Sequence, residues 1–313
     1  MTDKTEIVID SAAAAAASAR SASIWYMLIR NPSVLIGGTI MLVMVFIAIA
    51  APLLGTTDPT FFDPTYRNKK PGAERIFMDE DGAETVWVYR MGTDSLGRDV
   101  YSRVIYGAQV SLLVGVTVAV ISVLVGLAIG LVAGYIYWVD RIVMRFMDGL
   151  MAIPGILLAI ALVSLWGAGL MTVILAILIP EIPRVVRLVR SVVLSLREEP
   201  YVESAISVGT PLHMILARHL LPNTIAPLIV QGTYVCASAI LVEAILSFLG
   251  AGIPPEIPTW GNIMAEGRML FRIHPHNIFF PGIFLALTVL AVNMLGDGLR
   301  DTLDPRLAKR LRA

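Results

Sequence analysis

The 313-residue chain is 57% hydrophobic and only 15% charged, with a mean hydropathy of +0.76 and a formal net charge of zero. Soluble domains average about 45–50% apolar and about 25% charged residues, so this composition selects an integral membrane protein whose first partner is the lipid bilayer. Zero net charge provides no bulk attraction for nucleic acid, and the lone Cys236 excludes both an intrachain disulfide and a cysteine metal framework.

In chain order, an alanine-rich tail precedes Val34–Leu54, an apolar stretch longer than the roughly 7–15-residue core of a cleaved signal peptide. It reads as a retained first span. Residues 55–110 form a long segment on the far side. Within it, Arg75–Arg90 has two β-rich arms around Asp81-Gly82, which predicts a β-hairpin. Asp99 and Arg103, with the apolar Val100, Val104 and Ile105, suit an amphipathic helix at the membrane surface, or a salt-bridged lead-in to the next span.

Ser111–Trp138 is the second span. Gly126, Gly130 and Gly134 recur on one face of it, a small-residue stripe that lets helices approach closely. The stripe serves either a subunit contact or pore seam, or packing within the chain. Leu150–Pro180 runs 31 residues without a charge. As one helix it would be about 46 Å long, against a hydrocarbon core of about 30 Å. The turn at Trp166–Gly169 divides it into two short spans, near 144–166 and 169–186. Ile225–Gly250 and Phe280–Leu299 complete six spans. Six spans put both termini on one side, and the 24 basic residues then divide fifteen to nine in favour of that side being cytoplasmic.

On the far side, Ala251–Phe279 carries three prolines, Trp260 as an interface anchor or docking contact, and a His274/His276 pair too sparse for the three or four ligands of a metal site. On the near side, the loop 187–224 holds a polar-faced insert. Pro200 suits a first helical turn, Gly209 ends that helix, and Thr210 and Pro211 begin another. The second helix places Leu212, Ile215, Leu216, His219 and Leu220 on one side, and Pro222 is expected to stop it. Its apolar side needs cover from this chain or another.

Glu203-Ser204-Ala205, then Gly209, then Leu221-Pro222 resembles the cytoplasmic loop of ABC-importer permeases. "GTDSLGRDVYSR", "AILSFLGAGIPPEIPTWGNIM" and "NMLGDGLRDTLDPR" are similar to the dipeptide/oligopeptide subfamily, in particular the second permease of its pair. The resemblance covers nearly the whole chain. Ser204 stands where the family loop usually has alanine, Gln109 where the subfamily often has a base, and the 67–90 connector is longer than usual.

The resemblance implies an all-α integral membrane protein of the type I importer fold, with a small extracytoplasmic hairpin added. Its parts would be a cytoplasmic tail (1–33), the first span (34–54), an outer loop (55–110), a core (111–300) and a second tail (301–313). It implies half of a translocation pathway for di- or oligopeptides in the bacterial inner membrane; related permeases carry nickel or oligosaccharides. The implied partners are a homologous permease, two ATPases that bind ATP and magnesium, and an extracytoplasmic substrate-binding protein. Glu203, Ser204, Ala205, Gly209, His219, Leu221 and Pro222, within 200–222, would form the coupling loop.

The residues themselves add two points. None of the four lysines follows a glycine in a P-loop pattern, so the chain is expected to carry no nucleotide site or other cofactor of its own and to be no enzyme. Glu243 and Asn293 are polar groups inside predicted spans, where an acid needs a partner or a wet cavity. Glu243 is an interhelical tie, a pathway residue or, in the alternative reading of a proton-driven secondary transporter, the coupling acid.

Overall fold

The computed structural model describes residues 26–78 and 84–303, without the side chains of residues 77, 78, 84 and 85. The chain enters as α1 (Pro32–Ile49). The Asn31 side chain caps it by accepting the Ser33 amide at 2.9 Å, and Pro32 occupies the first turn, where its missing N–H costs nothing. Two strands follow, β1 (Ala73–Met78) and β2 (Glu84–Tyr89), paired antiparallel with Ala73 opposite Tyr89 and Arg75 opposite Trp87. This is the expected hairpin; its Asp81-Gly82 turn lies outside the described residues.

The long helix α2 (Val100–Tyr135) is one unbroken rod of 36 residues, about 54 Å at 1.5 Å per residue. Asp99 caps it by accepting the amides of Tyr101 and Ser102, and nothing between Val100 and Tyr135 breaks the ladder. The expected membrane-surface helix is therefore the first three turns of this rod. Its face does not meet lipid: Val100, Arg103, Val104 and Ile105 are all buried.

Next come α3 (Tyr137–Met151) and α4 (Gly155–Trp166), bent by 85° at Ala152–Pro154. The predicted continuous span 144–166 is thus two pieces, because Pro154 disfavours helical geometry at the residue before it and cannot donate to the ladder. The turn Gly167–Gly169 leads to α5 (Leu170–Leu196), then α6 (Pro200–Ser207) and α7 (Leu212–Met214). From α7 the chain passes through a π-helical stretch, Ile215–Leu220, into α8 (Leu221–Phe248) without a break. Pro222 does not stop this helix as expected. It falls in the first turn of α8, and the widened stretch before it accommodates the missing N–H. Helices α9 (Trp260–Gly267) and α10 (His276–Leu303) complete the fold.

Among the described residues, α1, α2, the α7–α8 rod and α10 are long and apolar enough to span a membrane alone, and the bent α3–α4 pair makes at most a fifth. Helix α5 has the length, at 27 residues, but carries Glu181, Arg184, Arg187 and Arg190. These charges need protein or water around them.

Helix α2 packs most extensively against α5 and α8. At the first of these contacts the glycine stripe meets a valine stripe. A Cβ built on Gly126, Gly130 or Gly134 would lie 2.5, 2.6 or 2.7 Å from the Cβ of Val185, Val189 or Val193 respectively. The stripe packs within the chain. We predict that Gly130→Val destabilises the detergent-solubilised protein by about 1–3 kcal/mol through overpacking. Adding Val189→Ala should recover part of that loss, because the two sites share one contact. Thermal unfolding of both variants checks this.

Candidate functional site

The insert α6–α7 stands at the end of α5 and α8 remote from the hairpin. Its two helices meet at Gly209, whose φ of +82° lies in the left-handed region that residues with a Cβ rarely adopt. One side faces the protein: Val202, Ile215 and Leu220 are buried, and the Tyr201 and His219 rings lie 6.2 Å apart. The other side is open. Glu203, Ser204 and Gly209 are exposed, and so are the large apolar Tyr201, Ile206, Leu212 and Met214, with Val208 85% exposed. Ala205, His219 and Leu221 are half-buried, and Pro222 is exposed. Asn223, on the rod, donates to the Tyr201 hydroxyl of α6 at 3.4 Å and to the His219 carbonyl one turn back at 2.8 Å. The seven residues singled out in the loop therefore gather around one helix pair. Its exposed apolar side chains lie mostly beside the motif, and Glu203, Ser204 and Gly209 share the open side with them.

At the opposite end, the first quoted motif meets the residues that follow the second. Arg98 pairs with Asp94 at 2.6 Å and also with Glu266; Arg103 lies 3.4 Å from Glu266 and 3.8 Å from Asp94. Burial works against the Arg98 charge, but Asp94 and Glu266 overcome it and hold its pKa above the ordinary value. Burial pushes the Glu266 carboxyl up, opposed by Arg103 and Arg98. Around this knot the Trp260 indole donates to the Val104 carbonyl at 3.0 Å, and the Asn262 amide donates to the carbonyls of Ile253, Pro254 and Ile257. Trp260 is fully buried, so it is neither an interface anchor nor a docking contact. Sequence reasoning missed the knot because Glu266 is far along the chain from Arg98 and Arg103. The available signal was that the two arginines sit in one quoted motif and Glu266 just past the end of another. Gln109 ties the first turns of α2 to α1, donating to the Ala48 carbonyl at 2.7 Å.

Glu243 is fully buried on α8. It accepts the Ser247 hydroxyl at 2.8 Å and the Ser111 hydroxyl of α2 at 3.4 Å. Asn293 is half-buried on α10. The structure does not bring these two together. It adds a second buried acid that sequence reasoning passed over: Glu181 on α5, which accepts the Ser238 hydroxyl of α8 at 3.0 Å and Arg184 at 2.8 Å. Glu181 sits just past the uncharged stretch ending at Pro180, three residues before Arg184, and that spacing was its signal.

A family model described as the binding-protein-dependent transport system inner membrane component matches residues 122–309. A second, the N-terminal TM domain of oligopeptide transport permease C, matches residues 21–71. A probable peptide ABC transporter permease from Sinorhizobium fredii is 52% identical over 90% of this chain and 91% of its own length. A dipeptide transport system permease from Alkalihalophilus pseudofirmus is 40% identical, covering 89% and 87%. A glutathione transport system permease from Pectobacterium atrosepticum is 40% identical, covering 90% of each. The chain belongs to the inner-membrane permease family of binding-protein-dependent ABC transporters and, within it, to the peptide permeases. It is a multi-pass membrane transport subunit with the type I permease fold.

Two predictions follow from the buried charges. Arg103→Ala leaves Glu266 and Asp94 underpaired and should destabilise the protein by about 3–5 kcal/mol, read from denaturation in detergent. Glu243→Gln keeps the shape and a hydrogen-bond acceptor, so transport should stay within about threefold of wild type, since a neutral bond of this kind is worth only about 0.5–1.5 kcal/mol net. A proton-coupling acid would instead lose transport outright on that change.

Proposed function

We propose that this chain is half of the translocation pathway of an ATP-driven importer of short peptides, and that the α6–Gly209–α7 insert docks into an ATPase subunit. The observation that carries the reading is the open apolar side of the insert, with Tyr201, Ile206, Val208, Leu212 and Met214 exposed on a structure built into a longer rod. Exposed apolar patches on otherwise polar segments mark protein contacts. The continuous helix from Leu212 to Phe248 supplies the lever. Movement of the insert passes to α8 without a loop to absorb it, and to α5 through the short link 197–199. The chain has no P-loop, so hydrolysis belongs to two partner ATPases carrying ATP and magnesium.

In this reading a second, homologous permease supplies the other half of the path, and an extracytoplasmic binding protein delivers substrate at the hairpin end. The insert and both termini lie in the cytoplasm, and the bilayer is the bacterial inner membrane. Two features support this orientation: the fifteen-to-nine division of basic residues when α5 is counted as a sixth span beside the four long helices and the bent pair, and the need of the insert to meet cytoplasmic ATPases. Relatives named for peptide, dipeptide and glutathione transport support short peptides as the substrate class.

The test is Gly209→Ile in the assembled transporter. Space is not limiting, because a Cβ there meets nothing within 4 Å; the left-handed φ is. A β-branched residue should re-aim α7, lowering peptide uptake more than about tenfold while the protein still inserts and ATP hydrolysis continues, a barrier change of about 1.4 kcal/mol or more. Undiminished uptake contradicts the coupling role.

A further inference from the structure

Helix α3 runs across the bundle rather than along it. It meets α4 at 85°. Helix α4 lies beside the first half of α5: the turn Gly167–Gly169 joins them, and at the other end of α4 a Cβ on Gly155 would lie 3.4 Å from Pro180. Helix α5 follows α2, because Gly126, Gly130 and Gly134 meet Val185, Val189 and Val193 in step. The ion pairs agree. Asp140 and Asp148 of α3 pair with Arg190 and Arg187 of α5. The two acids are about 12 Å apart along their helix, and the two arginines about 4.5 Å apart along theirs. With α2 spanning the membrane, α3 lies near the membrane plane.

Contacts between the spans fix its level. Helix α1 is the shortest of the four long spans, 18 residues or about 27 Å against a hydrocarbon core of about 30 Å, so its ends mark the edges of that core. At the hairpin edge Gln109 of α2 donates to the Ala48 carbonyl at 2.7 Å. At the other edge Asn31, the cap of α1, donates to the Gly298 carbonyl of α10 at 3.3 Å. From there the level passes to α8, where Gly296 abuts Thr233, then to α2, where Gly232 abuts Val123, and to α5, where Gly126 abuts Val185. Gly126 is about 26 Å from Gln109 along α2, which matches the length of α1. Arg187 and Arg190 therefore lie about 3 and 8 Å beyond the core edge, and α3 lies with them. The headgroup layer is about 5–8 Å deep.

No residue of α3 is buried. Val139, Val143, Met147 and Leu150 are half-buried against the protein. On the open side Trp138, Ile142 and Phe146 recur every fourth residue as an apolar row, with Phe146 70% exposed. Arg141 and Arg145, also exposed, form the adjoining row. Arg141 lies over the Tyr137 ring at 4.8 Å, and neither arginine pairs with an acid among the described residues. Apolar and basic rows side by side, with Trp and Tyr among them, suit a helix lying in the headgroup layer.

We propose that α3 is a membrane-surface helix that takes anionic phospholipid: the row of Trp138, Ile142 and Phe146 enters the acyl boundary, and Arg141 and Arg145 hold headgroup phosphates. Two guanidiniums without acids, at the level of the phosphates, select a headgroup of net negative charge, each by about fivefold. This surface depends only on the chain spanning a membrane, not on what is transported.

The test uses the transporter as extracted from its native membrane, in nanodiscs. Ile142→Cys, in a Cys236→Ser background, carries a nitroxide. Oxygen, which concentrates in hydrocarbon, should relax it more than a water-soluble nickel chelate does. Stronger relaxation by nickel would put this position in water, and protection from both would put it against another chain; either overturns the proposal. A second arm keeps Ile142 and uses native mass spectrometry to compare retention of phosphatidylglycerol and phosphatidylcholine from nanodiscs holding equal parts of each. Wild type should retain the anionic lipid preferentially. R141Q and R145Q should each lower that preference about fivefold, and R141K should keep most of it. No preference in wild type, or one unchanged in R141Q/R145Q, overturns the headgroup site. The nitroxide arm keeps both arginines, so it reads out even where the double variant fails to fold.

Discussion

The close approach of α2 and α5 governs the rest of the architecture. Three glycines on α2 receive three valines on α5 at distances that leave no room for a Cβ. Without a hydrophobic drive between helices in lipid, such backbone-close packing is what holds spans together. It fixes which way α5 faces. With Val185, Val189 and Val193 committed to α2, Glu181, Arg184, Arg187 and Arg190 are distributed over the other sides of the helix, towards α3, α8 and open space. The same contact sets the position from which α6 departs. The insert is thus placed by an apolar seam in which none of its own residues takes part.

The two ends of the molecule use different means to stay ordered. At the hairpin end, a buried ion knot and a fully buried tryptophan lock the first turns of α2 to α9 and the loop before it. At the insert end few groups are buried, and the helix pair is held by Val202, Ile215, Leu220 and the Tyr201–His219 contact. The open side of the pair keeps apolar side chains uncovered, and under the proposed function the continuous rod behind it would carry docking along the length of α8. This division of labour agrees with the family to which the chain belongs, whose members work as transport subunits.

Much of this was legible in the sequence. The apolar runs marked the membrane class, the glycine stripe marked a close helix contact without naming its partner, and the helix–Gly209–helix insert was visible from its breaker and its prolines. The hairpin followed from its β-rich arms. What was not legible depended on contacts between distant residues or on context overriding a local signal. Val100, Val104 and Ile105 look like a lipid-facing stripe until the fold buries them. Pro222 looks like a stop until a π-helical stretch makes room for it. Glu181 hides at the edge of a long uncharged run, and only the position of Ser238 on another helix shows that it is held. Pro154 carried the signal for the 85° bend, but span counting by hydropathy passes over it.

The central claim is that the exposed side of the insert meets an ATP-hydrolysing partner. The most direct measurement places a photo-crosslinking amino acid at Val208, the most exposed apolar residue of the insert, in the transporter within its native membrane, and identifies the adduct by mass spectrometry. The account predicts a crosslink to a chain that carries a P-loop, with none from the same probe at Leu42 on the outer side of α1. A Val208 probe that labels only lipid or water, in a membrane where the protein is transporting substrate, would contradict it.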